Sequence, residues 1–199
     1  MTKAEILASV KTRTGRTDLT DIDAELLAIL VDATARHAFL KTTASQSWAS
    51  GMRSIAFPTG ATRILHITER LTSSTSGENE PLARIPFKQY LSYAASDADT
   101  GEPSEFATDN SLIYPYTIPN AAYTATVYYQ YTHPSDLATI SLDDRFKECV
   151  TSGVCFIVMG GQLGMPDENS IHYKVYESQL AMLASKVMDE QTETVAGYY

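Results

Sequence analysis

Cysteine is nearly missing from this chain. Its two copies, Cys149 and Cys155, lie six apart in a stretch with helical patterning, hence about 9 Å along a helix axis. That spacing excludes an intrahelical disulfide and fits no metal-ligand motif. Both read as small, buried apolar residues. Tryptophan occurs once, at Trp48. No apolar run approaches the ~20 residues that span a bilayer. Met1-Thr2-Lys3-Ala4-Glu5 lacks the basic and apolar segments of a signal peptide, so a soluble chain made in a cytoplasm is expected. Clusters of lysine and arginine are also missing. With 15 basic residues against 24 acidic ones and a formal net charge of -9, the chain is not patterned as a dedicated binder of nucleic-acid phosphates. The acidic excess is strongest from Glu69 to Asp109 and beyond Asp167. It reads as a solubilising surface or as one over which DNA slides without sticking.

Catalytic signatures are absent as well. The four histidines, His37, His66, His133 and His172, form no HExxH or other i,i+4 pair, and none has a cysteine at ligand spacing. There is no GxSxG elbow and no GxxxxGK[ST] phosphate loop. Gly160-Gly161-Gln162-Leu163-Gly164 lies between two helical patterns and reads as a helix stop. Asp97, Asp99, Glu102 and Glu105 offer oxygen ligands for Ca²⁺, but their order does not match an EF-hand loop, and a solvated acidic loop is the favoured reading. No catalytic, cofactor-binding or metal-binding residue is assigned, and no cofactor is expected.

What is present begins with residues 121–132. Tyr123, Ala125, Val127, Tyr129 and Tyr131 alternate with Thr124, Thr126, Tyr128, Gln130 and Thr132. This period of two, rich in aromatic and branched residues, predicts a strand with one buried face, ended by His133-Pro134. Tyr114-Pro115 and Ile118-Pro119-Asn120 punctuate its approach, which predicts a hairpin-like unit with the preceding strand.

The flanks carry helical signals. Thr2-Lys3-Ala4-Glu5 is a capping box, and Gly15 is placed to stop the helix it opens. Thr20-Asp21-Ile22-Asp23 repeats the signal, and apolar residues from Ile22 to Ala33 extend a second helix to Phe39 or Leu40. Residues 42–53 read as a connector. Ile55, Phe57 and the run 63–71 read as strands around a Pro58-Thr59-Gly60 turn. Residues 73–80 and 96–101 read as loops, with a short helix at 86–95 between them that begins at a proline. A third cap at Ser141–Asp144 opens a strongly apolar helix over 142–160. Gly164-Met165-Pro166-Asp167 reads as a tight link. A last helix over 167–190 carries Tyr173, Tyr176, Leu180, Leu183 and Val187, and a tail follows from Gln191.

The fold class predicted is α+β. Two N-terminal and two C-terminal helices form a four-helix bundle, because each has one apolar stripe that needs a partner. A β-rich subdomain with a short helix is inserted. The domain boundaries are 1–46 with 135–199 for the bundle and its tail, and 47–134 for the insertion.

Tyrosine is abundant, with twelve copies against six phenylalanines. An apolar body with a polar tip suits surfaces that become interfaces. The interface candidates are Tyr128 on the polar face of the strand, Tyr173 and Tyr176 on the last helix, and Tyr198 and Tyr199 at the end of the chain.

The layout resembles a known family. Ala4-Glu5-Ile6-Leu7 through Arg13-Thr14-Gly15-Arg16 precedes a second amphipathic helix. An insertion follows that carries Gly101-Glu102-Pro103, Pro115, Pro119, Tyr123 and Tyr129 and closes on His133-Pro134-Ser135-Asp136-Leu137. A helix pair joined at Leu163–Asp167 completes it. This is similar to the head-to-tail adaptors (connector or head-completion proteins) of tailed bacteriophages. The resemblance implies a virion structural protein of the neck between capsid and tail, assembled in the host cytoplasm. It implies a ring, commonly of twelve copies, that docks under the portal protein, contacts tail or tail-completion proteins, and lets DNA pass without sequence-specific binding or any membrane contact. A second reading is a ligand- or glycan-binding module with hydrolytic potential. A third is another neck or tail protein, such as a stopper or tail-completion subunit.

Overall fold

The computed structural model describes residues 1–71, 80–94, 99–161, 163 and 170–196, with the side chains of 70, 80 and 188–196 outside the description. Its contacts divide the chain into two units, one of Met1–Leu40 with Thr132–Tyr199 and one of Lys41–Tyr131. Mixed α and β structure is observed, with five α-helices among the described residues.

In the first unit, α1 spans Lys3–Thr14. Its capping box is complete: the Thr2 hydroxyl accepts from the Glu5 amide at 3.3 Å, and the Glu5 carboxylate accepts from the Thr2 amide at 2.9 Å. Two otherwise orphaned donors are thereby satisfied. Gly15, at φ 69°, ends the helix in the left-handed region. Helix α2 is shorter than predicted, Asp23–Arg36. Thr20 does not cap it, because Ile22 takes the cap position without a side-chain bond. It stops before Phe39 because His37 is extended, leading the chain toward a strand that begins at Lys41.

Thr132 onward returns to this unit. His133, 3 % exposed, organises the return. Its amide donates to Thr34 Oγ1 at 2.9 Å, and its Nε2 accepts from the Ser141 amide at 3.1 Å. Nδ1, 2.7 Å from the Pro134 carbonyl, therefore carries the ring proton. The helix expected over 142–160 is split. Asp143 caps a 3₁₀ turn at Asp144–Phe146, and α4 runs Lys147–Val158. Every residue of α4 from Cys149 to Phe156 is buried, as its mostly apolar sequence demands. It packs against α1, α2 and the last helix, α5. Helix α5 spans Ile171–Ala196, starting and ending later than the 167–190 predicted. No glycine or proline interrupts residues 171–196, so helix replaces most of the tail read from Gln191. The link at 164–167 lies outside the described residues.

The second unit is built from two sheets over one core. Residues 42–48, read as part of a connector, belong to strand β1, Lys41–Trp48. The remaining strands are β2 (Ile55–Ala56), β3 (Ala61–Leu71), β4 (Glu80–Pro81), β5 (Ala83–Arg84), β6 (Thr100–Gly101), β7 (Glu105–Asp109), β8 (Leu112–Tyr116), β9 (Ile118–Pro119) and β10 (Tyr123–Tyr131). Helix α3, Phe87–Ala94, follows Pro86 as expected. One sheet has the order β1-β10-β3-β4, and the other β2-β8-β7-β5. The strand β6 pairs with β9. The hairpin expected between β8 and β10 does not form. Strand β8 pairs with β7, across a turn where Asn110 and Ser111 take positive φ, whereas β10 lies between β1 and β3.

Alternation on β10 is as predicted over its first half: Tyr123, Ala125 and Val127 are buried. They share a core with Trp48, Ile64, Ile67, Leu82, Phe106 and Ile113. Ile64 and Ile67 both face inward despite being three apart. The β3–β10 register shifts between them, leaving Leu65 as the extra residue of a bulge. Farther along, Gln130 is buried rather than on the exposed face predicted for it. Of the two polar segments read as loops, residues 73–79 and 96–98 lie outside the described residues.

Candidate interaction surfaces

The five interface candidates separate sharply. Tyr128 is half-buried on the outer face of its sheet. It sits directly across from His66, and the two rings stack at 3.9 Å with planes 16° apart. This cross-strand pair is worth a fraction of a kcal/mol up to about 1 kcal/mol. Loss of water from the histidine ring holds the His66 pKa below its ordinary value. Tyr173 is half-buried, and its ring tilts against Phe156 at 5.0 Å.

Tyr176 is an interior residue, 0 % exposed. It lies on the buried side of α5, alongside Leu180 and Leu183. Its hydroxyl donates to Asp32 at 2.5 Å. Burial first, then the neighbouring Asp32 carboxylate, push its pKa far up, so it stays protonated. Tyr198 and Tyr199 lie outside the described residues.

Around Tyr176, α2 and α5 are joined by a polar cluster. Arg36 donates to both oxygens of Glu177, at 2.8 and 2.7 Å, and to Asp32 at 3.2 Å. The fork-to-carboxylate geometry fixes register as well as adding attraction. It lowers the Glu177 pKa. A similar pair, Arg13 with Glu148 at 2.7 and 2.6 Å, ties α1 to α4. Both clusters read as structural: Arg13 and Glu148 pair one to one, and Arg36 is shared between Glu177 and Asp32, whose second partner is the Tyr176 hydroxyl.

A second set of aromatic residues carries no motif in the sequence. Phe87 and Tyr90 on α3 pack on Tyr114 of β8 with ring centroids at 5.0 and 5.2 Å. Tyr93 packs on Tyr116 at 4.8 Å. Alternation on β8 explains the layer: Ile113 and Pro115 face the core, while Tyr114 and Tyr116 face α3. No residue of α3 is fully buried, and Leu91 beside this layer is 51 % exposed. The signal available in sequence was the pairing of a short amphipathic helix with a strand that places tyrosine at every second position.

Other chemistry is sparse. Among the described residues no group of three or more His, Cys, Asp and Glu side chains converges as a metal site. Both thiols are buried and free, and burial pushes the Cys149 pKa up to about 12. A hollow in the second unit is lined by Glu69, Pro81, Leu82, Glu102, Pro103 and Ser104, with no aromatic ring among these described residues. No helix is long and apolar enough to cross a membrane among the described residues. The family model described as SU10 adaptor protein matches residues 1–197. No curated protein matches the chain.

Proposed function

The chain belongs to the SU10 adaptor protein family, a family of phage head-to-tail adaptors, and on that premise we propose that it is the repeating subunit of a ring that docks under the portal and links it to the tail. Its role is structural, as a virion component of the neck, assembled in the host cytoplasm. The carrying observation is the family match over residues 1–197. The helical unit, in which α4 meets α1, α2 and α5, serves as the ring wall in the manner of a four-helix bundle. The inserted β unit contacts tail components, with Tyr128 and the α3 aromatic layer as its contact residues. An acidic chain, net -9, suits a lumen through which DNA moves without adhering.

The test is assembly with the cognate portal. Electron microscopy and mass photometry of the two proteins together should show a ring of this chain on the portal, and little association of the chain alone. A strictly monomeric chain with no affinity for the portal ring would refute the reading. The glycan-binding alternative calls for an aromatic ring to stack on a sugar, and the described residues lining the hollow supply none.

A further inference from the structure

Helix α2 has two apolar faces. Leu26, Ile29, Leu30 and Ala33 form the buried one. Ala24, Leu27, Ala28, Val31 and Ala35 recur at helical spacing on the other side. Of these, Ala24, Val31 and Ala35 are exposed and Leu27 and Ala28 half-buried; Val31 is 36 % exposed. No charged residue falls within this outer stripe. Asp32 and Arg36 lie to one side and are engaged with α5, and Asp23 is paired with Lys3. A helix that faces water on one side ordinarily carries charge there, and a helix apolar all round is ordinarily covered.

Within the same unit, α1 presents the opposite relief. Ala8, Ser9, Thr12 and Arg13 line an open hollow of about 290 Å³, where small side chains leave the helix surface low. Ridges seat in such grooves when two helices pack. The rims match in charge as well. Glu25 flanks the α2 stripe and Lys11 the α1 hollow; Lys11 is near enough to Asp18 to attract it, but neither Lys11 nor Glu25 forms a salt bridge among the described residues.

We propose that the occupant of the α2 stripe is the α1 hollow of a second copy of this chain, with Leu27 and Val31 as the ridge and Glu25 meeting the neighbour's Lys11. The inference rests on the ring reading and assigns its subunit contact. Two different patches meet, so the contact is head-to-tail and propagates from copy to copy instead of closing as a symmetric pair.

Cysteine cross-linking on the assembled ring tests it. The double variant Ala8→Cys/Val31→Cys, oxidised on the portal, should give a ladder of covalent oligomers on a non-reducing gel. A mixture of the two single variants should give cross-linked dimers only. Each single variant alone should give none, and the native thiols, being buried, should add no background. Val31→Asp should keep the helical signal and lose at least tenfold in ring formation. Glu25→Lys should also weaken the ring, and Lys11→Glu in the same chain should restore it. Rings that form on the portal without any ladder would overturn this contact and leave the ring reading intact. Cross-linking by Val31→Cys alone would overturn it in favour of a symmetric contact. Absence of any wild-type ring on the portal would overturn both.

Discussion

At Gly153, α4 approaches both α2 and α5 closely, and replacing it by alanine probes the packing of the helical unit directly. A Cβ at Gly153 would meet Ile29 Cδ1 at 2.6 Å, Ile29 Cγ1 at 3.1 Å and Tyr176 Cδ2 at 3.0 Å. Ile29 and Tyr176 are both fully buried. The tyrosine ring has little freedom to retreat, because its hydroxyl is held by Asp32. Overpacking of this kind costs about 3 kcal/mol at the upper end of its usual range. Alanine recovers about 1 kcal/mol through its better helix propensity. The net expectation for Gly153→Ala is a destabilisation of about 2 kcal/mol, or a fall in Tm of about 4–8 °C for a chain this size. Urea titration followed by far-UV circular dichroism reads it as a lower midpoint at unchanged slope. The mechanism has a sharper signature. Ile29→Val removes the nearest atom and by itself costs about 1 kcal/mol. In that background the alanine should cost about 1 kcal/mol less than in the wild type, a coupling of the size seen between touching residues. If Gly153→Ala is neutral or stabilising, or if the two substitutions simply add, then α2, α4 and α5 do not meet as described.

The polar cluster and the thiols yield further expectations. Tyr176→Phe keeps the ring and removes the bond to a charged acceptor, so a loss of about 1.5–3 kcal/mol in chemical denaturation is expected. No measurable loss would mean that Asp32 finds water equally well. Arg36 holds the Glu177 carboxyl below its ordinary 4.5. Between the two pKa values the unfolded chain therefore binds more protons, so this stability is full above about 4.5 and is lost as pH falls through the folded value. Glu177→Gln should flatten that acid limb; a limb as steep as in the wild type would assign it to other groups. A neutral aromatic disulfide reagent should label Cys149 and Cys155 only as fast as the chain opens, because both thiols are buried and held protonated. Immediate labelling of either in the native chain would contradict its burial.

Most of the architecture was legible where local and tertiary preferences agree. Thr2 and Glu5 capped their helix, Pro86 began another, and Tyr123, Ala125 and Val127 faced the core, because each signal acts within a few residues. The misses share a cause in pairing that is distant in sequence. Residues 42–47 hold mostly threonine, serine and glutamine, which look like a linker until β10 supplies a partner for every one of them. The tyrosines 114 and 116 look like an approach to a hairpin until β7 and α3 claim them. Tyr173 and Tyr176 have equal claims on composition and differ in depth: both reach α4, but Tyr173 stays half-buried against Phe156 while Tyr176 is enclosed between α2 and α4. The outer stripe of α2 was invisible because the same helix also has a buried stripe, and a count of apolar residues does not separate the two.

Lys41 lies across from Gln130, so the chain enters and leaves the inserted unit on neighbouring strands. This has a consequence for the order of events on the ribosome. Segment 41–131 is continuous and finds all its strand partners within itself, so it is complete as soon as it emerges. Helices α1 and α2 are made first but must wait, since Arg13 closes on Glu148 only 135 residues later. During that interval α2 exposes apolar residues on both sides, and the nascent chain is most exposed to sticking or to chaperones there. An excised 41–131 segment should therefore fold alone with native near-UV dichroism, and a chain stopped at 131 should add no helix beyond α3. A helical signal from 1–40 in the truncated chain would show that these helices do not depend on α4.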